Sequence, residues 1–350
     1  MQIDHVHFYV EDAQGWRNWF VKCLGFQAVN NSCFPTFGNQ ENLFHTCTEV
    51  VKNGNIYFLL SSPLLSTSPV AEFLRYHPPG VADIAFAVTD VEAAIRKAKL
   101  HGAKILQPIR DSGTYKYSKV ATWGRLTHTL IERNVENIPV YSTNHDGFTA
   151  IDHIVLNVPV GDLQTAVNWY SSVFDFQPQQ KFDIHTGRSG LHSQVMISAE
   201  RNVQIPINEP SSPNSQIQEF LDINRGAGIQ HIALRTANIV KAIAQFREAG
   251  VCFLSVPNNY YSELQKRLNL PLSPSELQAI AQQEILIDSQ ENESLEALLL
   301  QIFTQPIFNQ PTFFFEFIER RFHASGFGEG NFKTLFAAIE NEQVKRGFLR

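Results

Sequence analysis

The sequence predicts an α+β chain of two similar halves, each built from two βαβββ units, four units in all. Three observations carry this. Short segments recur: Ile3-Asp4-His5-Val6-His7 returns as Ile151-Asp152-His153-Ile154-Val155, Gly80-Val81-Ala82-Asp83-Ile84-Ala85 as Gly228-Ile229-Gln230-His231-Ile232-Ala233, and Thr129-Leu130-Ile131-Glu132-Arg133 as Glu316-Phe317-Ile318-Glu319-Arg320. The recurrence keeps register, because His5 and His153, Asp83 and His231, and Gly102 and Gly250 are each 148 residues apart. Around each recurrence, strand-like alternation gives way to apolar spacing of three and four, which reads as strand followed by helix. A repeat fixes architecture before any single element does. The chain of 350 residues is long enough for two ordinary domains, placed at 1–145 and 150–350.

The elements follow in order. Ile3–Val10 reads as a strand and Gln14–Leu24 as a helix through Trp16, Trp19, Phe20 and Cys23. Ile56–Leu60 is a short apolar strand. Ile84–Val88 and Val91–His101 repeat the strand and helix, with Asp90 at the N-cap and Gly102 at the C′ position. Thr127–Glu132 closes the half. Residues 134–150, rich in Asn, Pro, Ser, Thr and Gly, read as a linker. The second half gives strands at Ile151–Val158, Leu191–Ser198, Gln204–Asn208, Gln230–Thr236, Leu298–Phe303 and Phe313–Ile318, and helices at Leu163–Phe174 and Ile239–Ala249. Pro206 cannot donate to a ladder and is expected at an edge or bulge. Thr129 and Glu316 are 187 residues apart, so about 39 extra residues lie mostly between Asn258 and Leu300. There Tyr260–Leu268 and Pro274–Gln283 are helical in pattern, the second capped by Ser273 or Ser275. A last helix from about Asn331 places Phe332, Leu335, Phe336 and Ile339 on one face.

Composition narrows the function classes. A net charge of −6 and a pI near 6.1 give no basic footprint for nucleic acid. No apolar run is long enough to span a bilayer, and the first residues read as a strand, not as a signal peptide. Cys23, Cys33, Cys47 and Cys252 show no paired spacing and fit a reduced, cytoplasmic setting.

The matched positions differ in chemistry. The first half carries His5, Asp83 and Thr129; the second carries His153, His231 and Glu316. All three of the latter fall within predicted strands, where inward-pointing residues of separate strands can converge. Two imidazoles and a carboxylate on one face of an octahedral metal leave three positions open, which suits non-haem Fe(II) oxygen chemistry. Zinc is the competing metal, although the H-E-x-x-H helix common to His2Glu zinc hydrolases is absent. Glu316 is the telling residue, because it lies between Phe315 and Phe317 and a charged carboxylate there needs a partner. His5, His7, His128 and His145 belong to the half without the set and read as structural or exposed.

At this point a resemblance becomes specific. Ile151-Asp152-His153, Gly228 to Ala233, Leu299-Leu300-Gln301-Ile302-Phe303-Thr304, Phe315 to Arg320 and Gly326-Phe327-Gly328-Glu329-Gly330-Asn331-Phe332 resemble the 4-hydroxyphenylpyruvate dioxygenase family over residues 3–345, most strongly after 150. The resemblance implies the vicinal oxygen chelate (glyoxalase/bleomycin-resistance-like) fold, with four βαβββ modules in two open β-barrel domains. It implies one Fe(II) per subunit on His153, His231 and Glu316, O2 as co-substrate, and a 2-oxo acid substrate that chelates the metal. The implied reaction is oxidative decarboxylation, ring hydroxylation and side-chain migration, giving homogentisate and CO2 for tyrosine breakdown or quinone supply. By position it further implies catalytic roles for Gln301, Gln230 and Phe332. A substrate pocket is implied of Ser193, Asn208, Gln216, Gln230, Gln301, Phe303, Phe327, Asn331, Phe332 and Leu335. Neutral polar groups suit a phenol, and flat rings suit a phenyl group. The glycine-rich run fits a hinge ahead of a C-terminal lid helix. Phe336 and Ile339 read as plain core.

The short Arg320–Gly326 connection fits a bacterial-type member. A homo-oligomer, dimer or tetramer, is the family expectation, with no nucleic-acid or membrane partner. The nearest rival is 4-hydroxymandelate synthase, which uses the same substrate but hydroxylates the benzylic carbon; Phe332 and the Pro206-Ile207-Asn208-Glu209-Pro210 run favour homogentisate. An extradiol ring-cleaving dioxygenase and a non-catalytic binding protein of the same fold are more distant readings.

Overall fold

The computed structural model describes residues 1–35, 45–134, 147–186, 188–257, 259–267, 270–289 and 297–348. Most of the expected linker, with His145, lies outside them.

The repeat becomes two eight-stranded sheets of the same topology. The first contains β1 (Gln2–Tyr9), β2 (Gln27–Val29), β3 (Thr46–Asn53), β4 (Ile56–Pro63), β5 (Gly80–Ala87), β6 (Ile105–Asp111), β7 (Tyr115–Ala121) and β8 (Thr127–Arg133), in the order β2-β3-β4-β1-β5-β8-β7-β6. The second contains β9 (Phe148–Asn157), β10 (Gln177–His185), β11 (Gly190–Ile197), β12 (Gln204–Pro210), β13 (Gly228–Thr236), β14 (Leu286–Asp288), β15 (Leu298–Phe303) and β16 (Phe314–Arg321), in the matching order β10-β11-β12-β9-β13-β16-β15-β14. Each sheet is two βαβββ modules joined through an antiparallel central pair, β1 with β5 and β9 with β13. The vicinal oxygen chelate fold expected from the sequence is therefore the fold observed.

The helices are α1 (Ala13–Leu24), α2 (Pro69–Tyr76), α3 (Val91–Leu100), α4 (Leu163–Phe174), α5 (Gln216–Asn224), α6 (Ile239–Glu248), α7 (Tyr260–Arg267), α8 (Pro274–Gln282) and α9 (Phe332–Lys345). Asp90 caps α3 by accepting from the Ala93 N–H at 2.7 Å, and Gly102 takes φ +77° just beyond the helix. Ser273, not Ser275, caps α8. The extra residues of the second half form α7 and α8 between α6 and β14. Pro206 is neither at an edge nor at a bulge. It lies in β12, an interior strand, but the register of β12 against β9 covers only Ile207 and Asn208, so its missing N–H falls beyond that ladder.

β16 explains the crowding of phenylalanine near the C-terminus. Side chains alternate along a strand. Phe315 and Phe317, with Phe313 just ahead of them, are fully buried: Phe313 meets Phe8 at 5.2 Å and Phe315 meets Phe20 at 5.9 Å across the two halves, and Phe317 stacks on Phe148 at the start of β9. Phe314, Glu316 and Ile318 point the other way. One continuous apolar core thus runs through both sheets. Burying each such ring contributes roughly 1.5–3 kcal/mol, which anchors the strand that carries the charged residue. Among the described residues no helix is long and apolar enough to cross a membrane.

A buried hydrogen bond also joins the halves: the Tyr170 hydroxyl on α4 donates to His128 Nε2 on β8 at 2.8 Å, while His128 Nδ1 faces the Ile84 carbonyl. Burial lowers the His128 pKa from 6.5 to about 4. The unfolded chain therefore binds the proton first, and this residue's contribution falls as pH drops from about 6.5 to about 4, by ~3 kcal/mol. In urea unfolding, the stability loss of His128→Gln should be largest at pH 7.5 and should shrink by about 2–3 kcal/mol near pH 4.5; an equal loss at both pH values would contradict this.

Candidate metal centre

Three neighbouring strands of the second sheet bring His153 (β9), His231 (β13) and Glu316 (β16) together. Their ligand atoms lie within 4.8 Å of one another. His153 Nε2 is 3.1 Å and His231 Nε2 3.6 Å from the same oxygen, Glu316 Oε2. The register explains the convergence: Ala233 pairs with His153 on one side and with Glu316 on the other.

Two β-bulges refine that register. Between Ile229 and His231 the pairing with β9 slips by one residue, so Gln230 is the extra residue and can face the cavity beside His231. Between Ala233 and Leu234 the slip falls on Asp152, which turns its carboxylate to the His153 side. Asp152 Oδ1 is 3.0 Å from His153 Nδ1, leaving Nε2 to face Glu316. Burial alone would raise the Asp152 pKa, but the hydrogen bonds of Arg320 and His153 hold it well below the usual carboxylate range.

A divalent cation fits this set. Glu316 Oε1 is buried without a hydrogen-bond partner, an arrangement that costs free energy unless something binds there. In the metal-free chain, burial opposes protonation of His153, yet Glu316 and Asp152 outweigh it and raise its pKa to about 9. Burial and the charge on His153 lower the His231 pKa well below 6.5, leaving that ring neutral. A bound cation would take over from the proton on His153 in balancing Glu316.

The triad opens into a cavity. Eight of the ten substrate-pocket residues expected from the sequence line it: Ser193, Asn208, Gln216, Gln230, Phe303, Phe327, Phe332 and Leu335. Ser193 and Asn208 are direct partners across β11 and β12. Gln216 opens α5, whose N-cap is Ser215. Gln301 and Asn331 do not line the cavity. A Cβ on Gly328 would lie 1.8 Å from Gln301 Oε1, so the turn after β16 packs directly on the Gln301 amide. With φ +80° as well, Gly328 is required for contact and conformation, beyond any flexibility. Asn331 instead accepts from the Tyr260 hydroxyl of α7 at 2.8 Å.

Phe336 and Ile339 line the cavity with Phe332 and Leu335, so the whole apolar stripe of α9 faces it. Phe182, Ile217 and Phe314 complete the wall, and Phe314 stacks on His231 with ring centres 4.7 Å apart. The helical spacing of Ile217, Phe220 and Leu221 was the available signal for α5; Phe182, on a polar strand, gave none.

The corresponding site of the first sheet is closed. His5 Nδ1 lies 2.6 Å from Asp4, and Asp83 accepts from the Thr127 hydroxyl and lies 3.5 Å from Lys119 Nζ. His5, His7 and His128 are buried, which fits their reading as structural residues.

Comparison with known proteins agrees with this geometry. The profile of the Glyoxalase/Bleomycin resistance protein/Dioxygenase superfamily matches residues 2–120 and 150–268. An uncharacterized protein of Synechocystis sp. is 34% identical, covering 97% of both chains. A 4-hydroxyphenylpyruvate dioxygenase of Caenorhabditis briggsae is 36% identical, covering 99% of this chain and 93% of the relative. Among solved structures, a triple mutant of 4-hydroxymandelate synthase from Streptomyces coelicolor superposes with a TM-score of 0.84 at 25% identity, covering 98% of each chain.

Replacing Glu316 by Ala removes the only carboxylate of the triad. The Glu316→Ala variant should keep its circular dichroism spectrum and lose divalent-metal affinity by at least about 100-fold in calorimetric titration; metal binding within threefold of the unaltered chain would sink the assignment.

Proposed function

The chain belongs to the 4-hydroxyphenylpyruvate dioxygenase family, and from that premise we propose that it converts 4-hydroxyphenylpyruvate and O2 to homogentisate and CO2 with Fe(II) held by His153, His231 and Glu316. The observation that carries this is the convergence of these three residues on a cavity walled by aromatic rings. Fe(II) held there would supply O2 activation and polarise the 2-oxo acid.

The chain's own residues do the rest. Phe303, Phe327 and Phe332 hold the substrate ring by offset and edge contacts and keep water from the reacting atoms. Ser193 and Asn208 give the phenol neutral hydrogen-bond partners, so no counter-charge is needed. Gln216 and Gln230 add neutral amide donors and acceptors to the cavity wall. Gln301 lies behind Gly328 with its Oε1 unpaired; movement of the 326–331 turn would bring that amide to the substrate.

We read α9 as a lid over the site, residues 150–350 as the catalytic domain and residues 1–145 as a domain without metal. With α9 seated, Phe332, Leu335, Phe336 and Ile339 form one wall of the cavity, which holds about 90 Å3. A lid in this position would open to admit the substrate and close over it. Two contacts hold it down: Thr186 and Ser189 donate to Glu340 at 2.6 and 2.7 Å, and Arg346 bonds Glu219 through both carboxylate oxygens at 2.9 Å. The short Arg320–Gly326 connection supports a bacterial-type member, the free cysteines support a reduced, cytoplasmic setting, and the family supports a dimer or tetramer.

The structural likeness to 4-hydroxymandelate synthase keeps one alternative, hydroxylation at the benzylic carbon. Phe332 in the cavity wall favours the ring product. Aerobic incubation with 4-hydroxyphenylpyruvate and Fe(II) should give homogentisate and CO2 by mass spectrometry and NMR; 4-hydroxymandelate as the main product would decide for the alternative. Deleting residues 331–350 should lower kcat/KM at least about tenfold by admitting water, whereas unchanged turnover would refute the lid.

A further inference from the structure

A second set of three charged residues lies beside the metal triad, on the same three strands. Asp152 precedes His153 on β9, Arg235 follows His231 by four residues on β13, and Arg320 follows Glu316 by four residues on β16. Asp152 bonds both arginines. Arg320 Nε and Nη2 lie 2.8 and 2.7 Å from its two oxygens, and Arg235 Nε and Nη2 lie 2.9 and 2.5 Å from Oδ2. The same carboxylate bonds His153. The β-bulge at Asp152 lets its side chain share a face with its neighbour, and bulges recur where a side chain must be re-aimed.

We propose that Asp152, Arg235 and Arg320 form an ionic triad that locks the three ligand-bearing strands in register, and that Arg235 is a positioning residue for the metal. The first half supplies an internal comparison. Its β1 carries the same bulge at Asp4, and Arg133 bonds both Asp4 oxygens at 2.5 and 2.7 Å. The place of Arg235 is held by Ala87, 148 residues earlier. The Asp–Arg pair therefore belongs to the fold, present with or without a ligand set, while the third arm occurs only where the ligands do. That arm joins the His231 strand to the other two. Without it, Asp152 ties His153 to the Glu316 strand alone, and the Nδ1 side of His231, which has no hydrogen-bond partner, is steadied by backbone pairing and the stack on Phe314.

This inference rests on reading His153, His231 and Glu316 as metal ligands, and its test separates the two. Co(II) is titrated anaerobically into the full-length chain, following calorimetry and the visible d–d spectrum. Arg235 is about two-fifths exposed, so its replacement should leave the fold intact. Arg235→Gln should weaken Co(II) binding about tenfold and alter the d–d band, in the range that outer-shell partners command. Arg235→Lys, which keeps one charge, should recover part of the affinity. Arg133→Gln, in the half without ligands, should lower thermal stability and leave Co(II) affinity unchanged. Co(II) affinity within twofold of the unaltered chain in Arg235→Gln would overturn the proposal, as would an equal loss of affinity in Arg133→Gln. Failure of the unaltered chain to bind Co(II) would instead overturn the ligand reading, and this inference with it.

Discussion

A carboxylate has been placed in a run of phenylalanines, and the structure is organised around satisfying it. Glu316 is flanked by Phe315 and Phe317, which are drawn into the core between the halves, while its own side chain points into the second sheet. Moving a lone carboxylate into such surroundings costs several kcal/mol. It must therefore be matched by a cation: a proton on His153 in the free chain, or a metal between His153 and His231. The phenylalanines fix the strand, the strand fixes the carboxylate, and the carboxylate calls for the two imidazoles.

Duplication makes the point by contrast. In the first sheet, the place of Glu316 is taken by Thr129 and that of His231 by Asp83, and the positive charge comes from the chain itself. Lys119 pairs with Thr129 across β7 and β8, as Phe303 pairs with Glu316 across β15 and β16, and its ammonium reaches Asp83. A side-chain cation on one scaffold thus occupies the region that the other leaves open as an aromatic cavity. The same backbone supports a closed polar core and an open reactive site, according to a few side chains at matched register.

Where the sequence was legible, a periodic or repeated signal existed. His153, His231 and Glu316 were found because they recur at matched positions. Strands without an apolar rhythm were missed: β10 and β6 are edge strands, largely exposed along their length, and carry residues such as Gln179, Gln180, Gln107 and Arg110. The bulges at Gln230 and Asp152 break strict alternation, so consecutive residues share a face in a way that period-two reasoning does not anticipate. The stripe Phe332, Leu335, Phe336 and Ile339 was legible as one helical face, but whether that face met core or cavity depends on where α9 docks. Gln301 and Asn331 show the reverse. Both were expected in the cavity, but Gly328 packs on the Gln301 amide and the Tyr260 hydroxyl of α7 bonds Asn331, and both contacts are set by tertiary packing.

The central claim is that each chain holds one metal, in the second half, on three strands registered by buried charge. Anomalous scattering at the iron edge, from crystals grown anaerobically with Fe(II), tests it most directly. One peak per chain is expected, within about 2.0–2.3 Å of His153 Nε2, His231 Nε2 and the Glu316 carboxylate. A peak among His5, Asp83 and Thr129, or none at the Glu316 site, would contradict this.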